Sequence, residues 1–163
     1  MNGMRSLNET SNSQPKFSRK RSGSFLEIDF WTPSEVRAIS PLVDRLMRLI
    51  ERAKCVPGAE FDVELAIREA LGNAIVHGNQ ENPEGKVRIR CPCQPGNEIS
   101  IVVTDQGKGF DFEAIEGKGI TSDPDSEHGR GLQLMKAYMD DVHFERGGSE
   151  VHMRKRARTT SHS

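Results

Sequence analysis

Glu69-Ala70-Leu71-Gly72-Asn73-Ala74-Ile75-Val76-His77-Gly78-Asn79 is the stretch on which the fold turns. It closes a run of helical periodicity that begins near Glu60, in which Phe61, Leu65, Ala66, Ile67, Ala70, Leu71 and Ala74 supply the core side. Glu69, Asn73 and His77 fall at i, i+4 and i+8, so an α-helix lines all three along one face, each turned roughly 40° from the last. Polar groups in such apolar company either point to solvent or serve a site. His77 reads as a capping group: it lies in the last turn, where a cation complements the helix dipole, and Gly78 follows as a C′ residue.

Outward from this helix the pattern alternates between strands and helices. Ser24–Phe30 alternates, with Leu26, Ile28 and Phe30 facing inward, and reads as a strand. Thr32-Pro33-Ser34-Glu35 reads as a helix start that Ser34 or Thr32 caps. The helix after it spaces Ile39, Leu42, Val43, Leu46, Leu49 and Ile50 on one face, and Pro57-Gly58 ends it. Val87–Cys91 and Glu98–Thr104 form a hairpin around a turn at Gln94–Asn97, and Asp141–Glu145 with Ser149–Met153 form a second one around Gly147-Gly148. Between them a helix runs from Gly131 to Met139. The count is roughly five strands and three helices. Strands interleave with helices while the hairpins demand antiparallel pairing, which predicts an α/β (α+β) two-layer sandwich: a mixed sheet with helices on a single face.

Composition sets the class. The chain has 163 residues, 34% of them hydrophobic, enough for one domain with a real core. No run approaches 18 consecutive apolar residues, and residues 1–24 have no apolar core of a secretory signal, so a cytoplasmic protein with no membrane partner is expected. Three cysteines, Cys55, Cys91 and Cys93, lack a disulfide or zinc framework and are expected as reduced thiols. Of 23 Lys and Arg, five lie in residues 1–23 and four in 154–163; of 24 Asp and Glu, one lies in 1–23 and none in 154–163. Residues 24–153 are therefore an acidic domain, net charge about −9, between tails 1–23 and 154–163 that read as basic, solvated and disordered. Direct DNA binding is not expected.

Two further segments carry chemistry. Asp105-Gln106-Gly107-Lys108-Gly109 follows an apolar strand, placing a carboxylate at the edge of the core and backbone free of side chains beside it. Gly129-Arg130-Gly131-Leu132 opens a helix, where unpaired N–H groups and the positive dipole end suit phosphate. Residues 106–128 have weak periodicity, and a loop of that length in a compact domain is usually functional or disordered. The chain has neither a G-x-x-x-x-G-K-[ST] phosphate loop nor the H-R-D and D-F-G motifs of eukaryotic-type kinases.

Together and in this order, the three segments resemble the N, G1 and G2 boxes of the GHKL ATPases. The wording around Asn73 and the small size resemble anti-sigma-factor serine/threonine kinases of the RsbW type, over roughly residues 24–153. The resemblance implies a Bergerat-type fold and use of ATP with Mg²⁺. It implies that Asn73 coordinates Mg²⁺, that Glu69 is the general base, and that Asp105 accepts from the adenine amino group. It also implies that Gly107 and Gly109 line the nucleotide, that Gly129, Arg130, Gly131 and Leu132 meet its phosphates, and that residues 111–128 form a lid hinged at Gly117 and Gly119. The partners it implies are a sigma factor, held inactive, and a small STAS-domain antagonist phosphorylated on Ser or Thr; a homodimer is possible in this family. An ATP-binding partner-switching module without kinase activity is the alternative. A histidine-kinase catalytic domain fits less well, since no His-bearing dimerisation helix precedes residue 24.

Overall fold

The computed structural model describes residues 16–109 and 127–158. Six strands form one sheet: β1 (Lys16–Ser22), β2 (Phe25–Pro33), β3 (Lys86–Gln94), β4 (Glu98–Thr104), β5 (Asp141–Glu145) and β6 (Glu150–Arg156), in the order β1-β2-β3-β4-β6-β5. Three helices, α1 (Ile39–Arg52), α2 (Glu60–Asn73) and α3 (Glu127–Tyr138), share one core with one face of the sheet. The protein is thus a two-layer α+β sandwich. All five strand pairings are antiparallel, where a mixed sheet was expected. The reason is connectivity: tight turns join three of the pairs, and the helical connections return the chain antiparallel to a neighbouring strand.

Register follows from period-two burial. Ile28 pairs with Cys91, Phe30 with Ile89, Ile89 with Val103 and Val103 with Val151, so the apolar side chains of β2, β3, β4 and β6 stack in rows beneath the helices. Above them α2 contacts both α1 and α3. Its Val63, Ala66, Ile67, Ala70 and Leu71 are buried, whereas Phe61, expected in the core, is 69% exposed, its ring edge-on to Tyr138. Arg68 bridges α2 to α1, donating to Ser40 Oγ at 3.2 Å and Asp44 Oδ1 at 3.3 Å.

Both basic segments are partly ordered. Residues 16–22, assigned to the N-terminal tail, form β1 against β2, turning at Gly23 with φ +58°. Residues 154–156 complete β6, and 157–158 follow it. Lys155 lies opposite Ile99, so it projects to the helix side, where its Nζ donates to Tyr138 O at 2.6 Å and pairs with buried Asp62 at 3.1 Å. Arg158 reaches the same carboxylate at 2.6 Å. One acid in α2 thus holds two cations that composition alone assigns to solvent. Residues 1–15 and 159–163 lie outside the described residues.

Two local expectations change. β2 runs on to Pro33, and Ser34 N–H donates to Gly85 O at 3.0 Å, so this segment joins β3 instead of capping a helix. Ser34 Oγ is buried without a hydrogen-bond partner among the described residues, and α1 begins only after a 3₁₀ turn at Val36–Ala38. The cysteines also differ: Cys55, just past α1, and Cys93, in β3, form a disulfide with Cα atoms 5.8 Å apart, while Cys91 is a free buried thiol. Spacing along the chain did not reveal the pair because the contact exists only once α1 lies across β3.

Candidate functional site

The helix that carries Glu69 and Asn73 does not run regularly to His77. α2 ends at Asn73, and Ala74–Gly78 is a single π-helical turn, in which Asn79 N–H donates to Ala74 O, five residues back, at 2.8 Å. Such turns concentrate at functional sites because they displace side chains from the regular face. His77 therefore no longer continues the spacing set by Glu69 and Asn73. Gly78 is not the left-handed cap residue that was expected: it is absent from the glycines with positive φ, and Asn79 follows at φ −85°. Its small size is needed for another reason. A Cβ there would overlap the Asp105 carboxylate.

Asp105 directly follows β4 and is buried, its N–H donating to Ser149 O at 2.9 Å. Its Oδ1 accepts from Gly107 N–H at 2.8 Å. Burial raises the Asp105 carboxyl above the usual range, and the Gly107 N–H opposes that shift. Gly107 presses on the π turn so closely that a Cβ would overlap Gly78 O, and Gly109, at φ +78°, presses likewise on Gly147 O. The two glycines expected near a ligand thus also close the backbone of this loop against α2 and the β5–β6 turn. A narrow cleft, with only about 10 Å³ of free space, opens here, lined by Ala70, Asn73, Ala74, Asp105, Met135 and Val151 among others.

The third segment arrives from α3. The helix begins at Glu127, two residues before Gly129, rather than at Gly131. Gly129 lies in the first turn, whose N–H groups a helix leaves without intrahelical acceptors, and Gly131 is the fifth residue. What Gly131 provides is proximity. A Cβ on it would stand 2.8 Å from Glu69 Oε2 and 3.3 Å from Asn73 Nδ2, so the backbone of α3 lies directly on the polar pair of α2. Leu132, beside it, is buried in the core, and Arg130 is exposed. Glu69, Asn73, Asp105, Gly107, Gly109, Gly129, Arg130, Gly131 and Leu132 are all described, and the geometry brings Glu69, Asn73 and Gly131 together on one side of the cleft that Asp105 borders. The expected lid at 111–128, with Gly117 and Gly119, lies outside the described residues apart from the start of α3.

Asn79 was missed by sequence reasoning. It is buried; its Oδ1 accepts from Gln106 N–H at 2.8 Å and its Nδ2 donates to Lys86 O at 3.0 Å. One amide thus ties the π turn to the Asp105 loop and to the start of β3. Its place immediately after His77-Gly78 was visible, but nothing in the chain order says which backbone groups it satisfies.

The structure is thus an α+β sandwich in which a carboxylate and an amide on α2 meet a glycine of α3 close to a buried aspartate at the end of the sheet. Residues 32–155 match the histidine kinase-like ATPase domain, and the chain belongs to that family. Its similar proteins include anti-sigma F factors. That of Heyndrickxia coagulans is 36% identical over 84 residues, covering 50% of this chain and 57% of the relative. That of Clostridium acetobutylicum is 39% identical over 100 residues, covering 58% and 68%, and that of Bacillus subtilis 33% over 103 residues, covering 62% and 68%. The chain thus spans 57% of the length of the Heyndrickxia relative. Among the described residues no helix is long and apolar enough to cross a membrane.

Proposed function

We propose that the chain is an ATP-dependent serine/threonine protein kinase and anti-sigma factor, which holds a sigma factor inactive and phosphorylates a STAS-domain antagonist. The observation that carries this reading is the meeting of Gly131 with Glu69 and Asn73 beside the cleft of Asp105. The names of the anti-sigma F relatives support the regulatory half of it.

Each residue has a task that its surroundings suit. Asp105, buried and already accepting from Gly107, presents a carboxylate acceptor to the adenine amino group, which favours adenine over guanine, whose equivalent group is a carbonyl. Gly107 and Gly109 keep side chains away from the nucleotide. The first turn of α3, including Gly129, turns its N–H groups and positive dipole end toward phosphate charge, Arg130 adds a cation beside it, and Gly131 and Leu132 anchor that helix on the core. The donors beside Gly131 fit Mg²⁺, which prefers hard oxygen and takes one or two protein ligands. Asn73 would hold it through its amide oxygen without adding charge. Bound there, Mg²⁺ neutralises phosphate charge as it shifts during transfer. Glu69 takes the proton of the incoming Ser or Thr hydroxyl as that oxygen attacks the γ-phosphorus; the P–O bond to the β-phosphate breaks and ADP leaves.

The test is transfer from γ-labelled ATP to the antagonist isolated with the protein from native extract. Glu69→Ala should leave ATP affinity near wild type and lower transfer by about 10²–10⁴, since a base acts mainly in the transition state. Asn73→Ala should impair Mg²⁺-dependent ATP binding and transfer together. Wild-type protein that binds ATP and partner yet transfers nothing would make the chain a partner-switching module instead. Undiminished transfer by Glu69→Ala would remove that residue as the base.

A further inference from the structure

The outer face of the sheet, opposite the helices, carries a cluster that the nucleotide site does not use. His143 of β5 and His152 of β6 are register partners, and their rings stack with centroids 4.9 Å apart and planes 12° from parallel. Glu145, two residues along β5 on the same face, spans both: its Oε1 lies 3.3 Å from His143 Nε2 and its Oε2 3.3 Å from His152 Nε2. One ligand atom from each of the three residues falls within 4.8 Å of the others.

We propose that His143, Glu145 and His152 bind a first-row divalent transition metal, with Zn²⁺ as the typical occupant. The spacing suits it. Bonds of roughly 2.0–2.1 Å in a tetrahedron separate neighbouring ligand atoms by roughly 3.3–3.4 Å; here the carboxylate stands between the rings with one oxygen 3.3 Å from each Nε2, and the three ligand atoms lie within 4.8 Å, so a modest closure completes the site. Two imidazoles and a carboxylate select Zn²⁺, Co²⁺, Ni²⁺ or Cu²⁺ over Mg²⁺ or Ca²⁺, so this site is chemically separate from the one at Asn73. Supporting groups stand behind the ligands. Asp141 Oδ2 stands 3.6 Å from His143 Nδ1, on the side of that ring away from Glu145. Glu150 Oε1, hydrogen bonded to His152 Nε2 at 2.7 Å, is the nearest further oxygen, while its Oε2 accepts from Thr104 Oγ1 at 2.7 Å. Of the cations near Glu150, Arg146 contacts it from the Oε2 side at 3.9 Å, and Arg90 acts on the same carboxylate. Three protein ligands leave a fourth position for water or Glu150.

A metal here would clamp the edge strand β5 onto β6. Phe144 and Val151, on the opposite side of those strands, line the nucleotide cleft, so the clamp would stiffen one of its walls. The competing account is a cluster of surface ion pairs with no metal. Isothermal titration of untagged, EDTA-treated, nucleotide-free protein with Zn²⁺ separates them, with the visible absorption of Co²⁺ reporting geometry. One saturable site per chain is expected, with a tetrahedral Co²⁺ spectrum, undisturbed by excess Mg²⁺. His143→Ala and Glu145→Gln should each weaken binding at least tenfold, while circular dichroism and melting show that the exposed substitutions leave the fold intact. Absence of saturable Zn²⁺ binding by wild type overturns the proposal. So does undiminished binding by a His143→Ala/His152→Ala double variant, which would place the metal elsewhere. Because nucleotide is left out, neither result depends on whether the protein is a kinase.

Discussion

At the scale of single residues, burial of Asp105 sets function against stability. Its carboxyl is raised because ionisation inside the fold loses hydration. The folded state therefore bears a cost when Asp105 is ionised, above its raised pKa; the cost disappears as pH falls into the ordinary carboxylate range, where both states are protonated. Asp105→Asn should raise the melting temperature of nucleotide-free protein at neutral pH, and the gain should shrink on acidification. The same change should weaken ATP binding, since an amide can present a donor where an acceptor is needed. With wild type, ATP and Mg²⁺ should raise the melting temperature more than GTP does; equal shifts would remove the adenine role. Gly131→Ala offers a second separation. The new Cβ meets the mobile end of Glu69, 2.8 Å away, and not backbone. Helix propensity gains about 1 kcal/mol from the change. Thermal stability should hold or rise, while phosphoryl transfer falls because Glu69 is displaced.

At the scale of elements, the loop from β4 and the π turn after α2 are fitted backbone to backbone. Gly107→Ala drives a Cβ into Gly78 O, and neither chain segment can swing aside as a side chain would. A cost of roughly 1–3 kcal/mol in urea unfolding is expected, the range for forced overpacking. It should exceed that of Gly96→Ala, whose Cβ meets nothing within 4 Å although its φ of +76° carries a strain of its own. Equal costs would mean that the close approach at Gly107, whose φ is not positive, costs no more than the backbone strain at Gly96. The same elements show why the helix boundary was misplaced. Periodicity from Glu60 to His77 is continuous in the sequence, and the π turn adds its extra residue without disturbing which residues are apolar. Asn79 and Gly78 select that turn through contacts with Gln106, Lys86 and Asp105, all remote in sequence.

At the scale of the whole molecule, the disulfide joins the helical layer to the sheet. Cys55 and Cys93 are 38 residues apart, and closing a loop of that size removes chain entropy from the unfolded state. Reductant, or Cys55→Ser, should lower stability by about 2–4 kcal/mol, measured by melting with and without dithiothreitol. A non-reducing peptide map should recover Cys55 linked to Cys93 and Cys91 free. Recovery of three free thiols would restore the expectation of a reduced protein. The buried Lys155–Asp62 pair belongs to this scale as well, since it fastens the end of β6 to the start of α2 across the full chain.

What the sequence by itself determined is whatever a local period or a motif encodes. Alternation in Leu26, Ile28 and Phe30 marked an inward strand face, and the bounds of Glu98–Thr104 and Asp141–Glu145 agree with the observed strands. Three ordered motifs mark the family, and the helices lie on one side of the sheet as expected. Tertiary structure alone decided the antiparallel sheet, the ordering of 16–22 and 154–158, the exposure of Phe61, the disulfide, the π turn and the cross-strand histidines. The physical reason is common to them. Hydrophobic periodicity records how a residue relates to its own element, whereas each of these depends on a partner brought near only by packing. Ladder hydrogen bonds, an ion pair to Asp62 and a glycine's lack of Cβ carry no period that one segment can display.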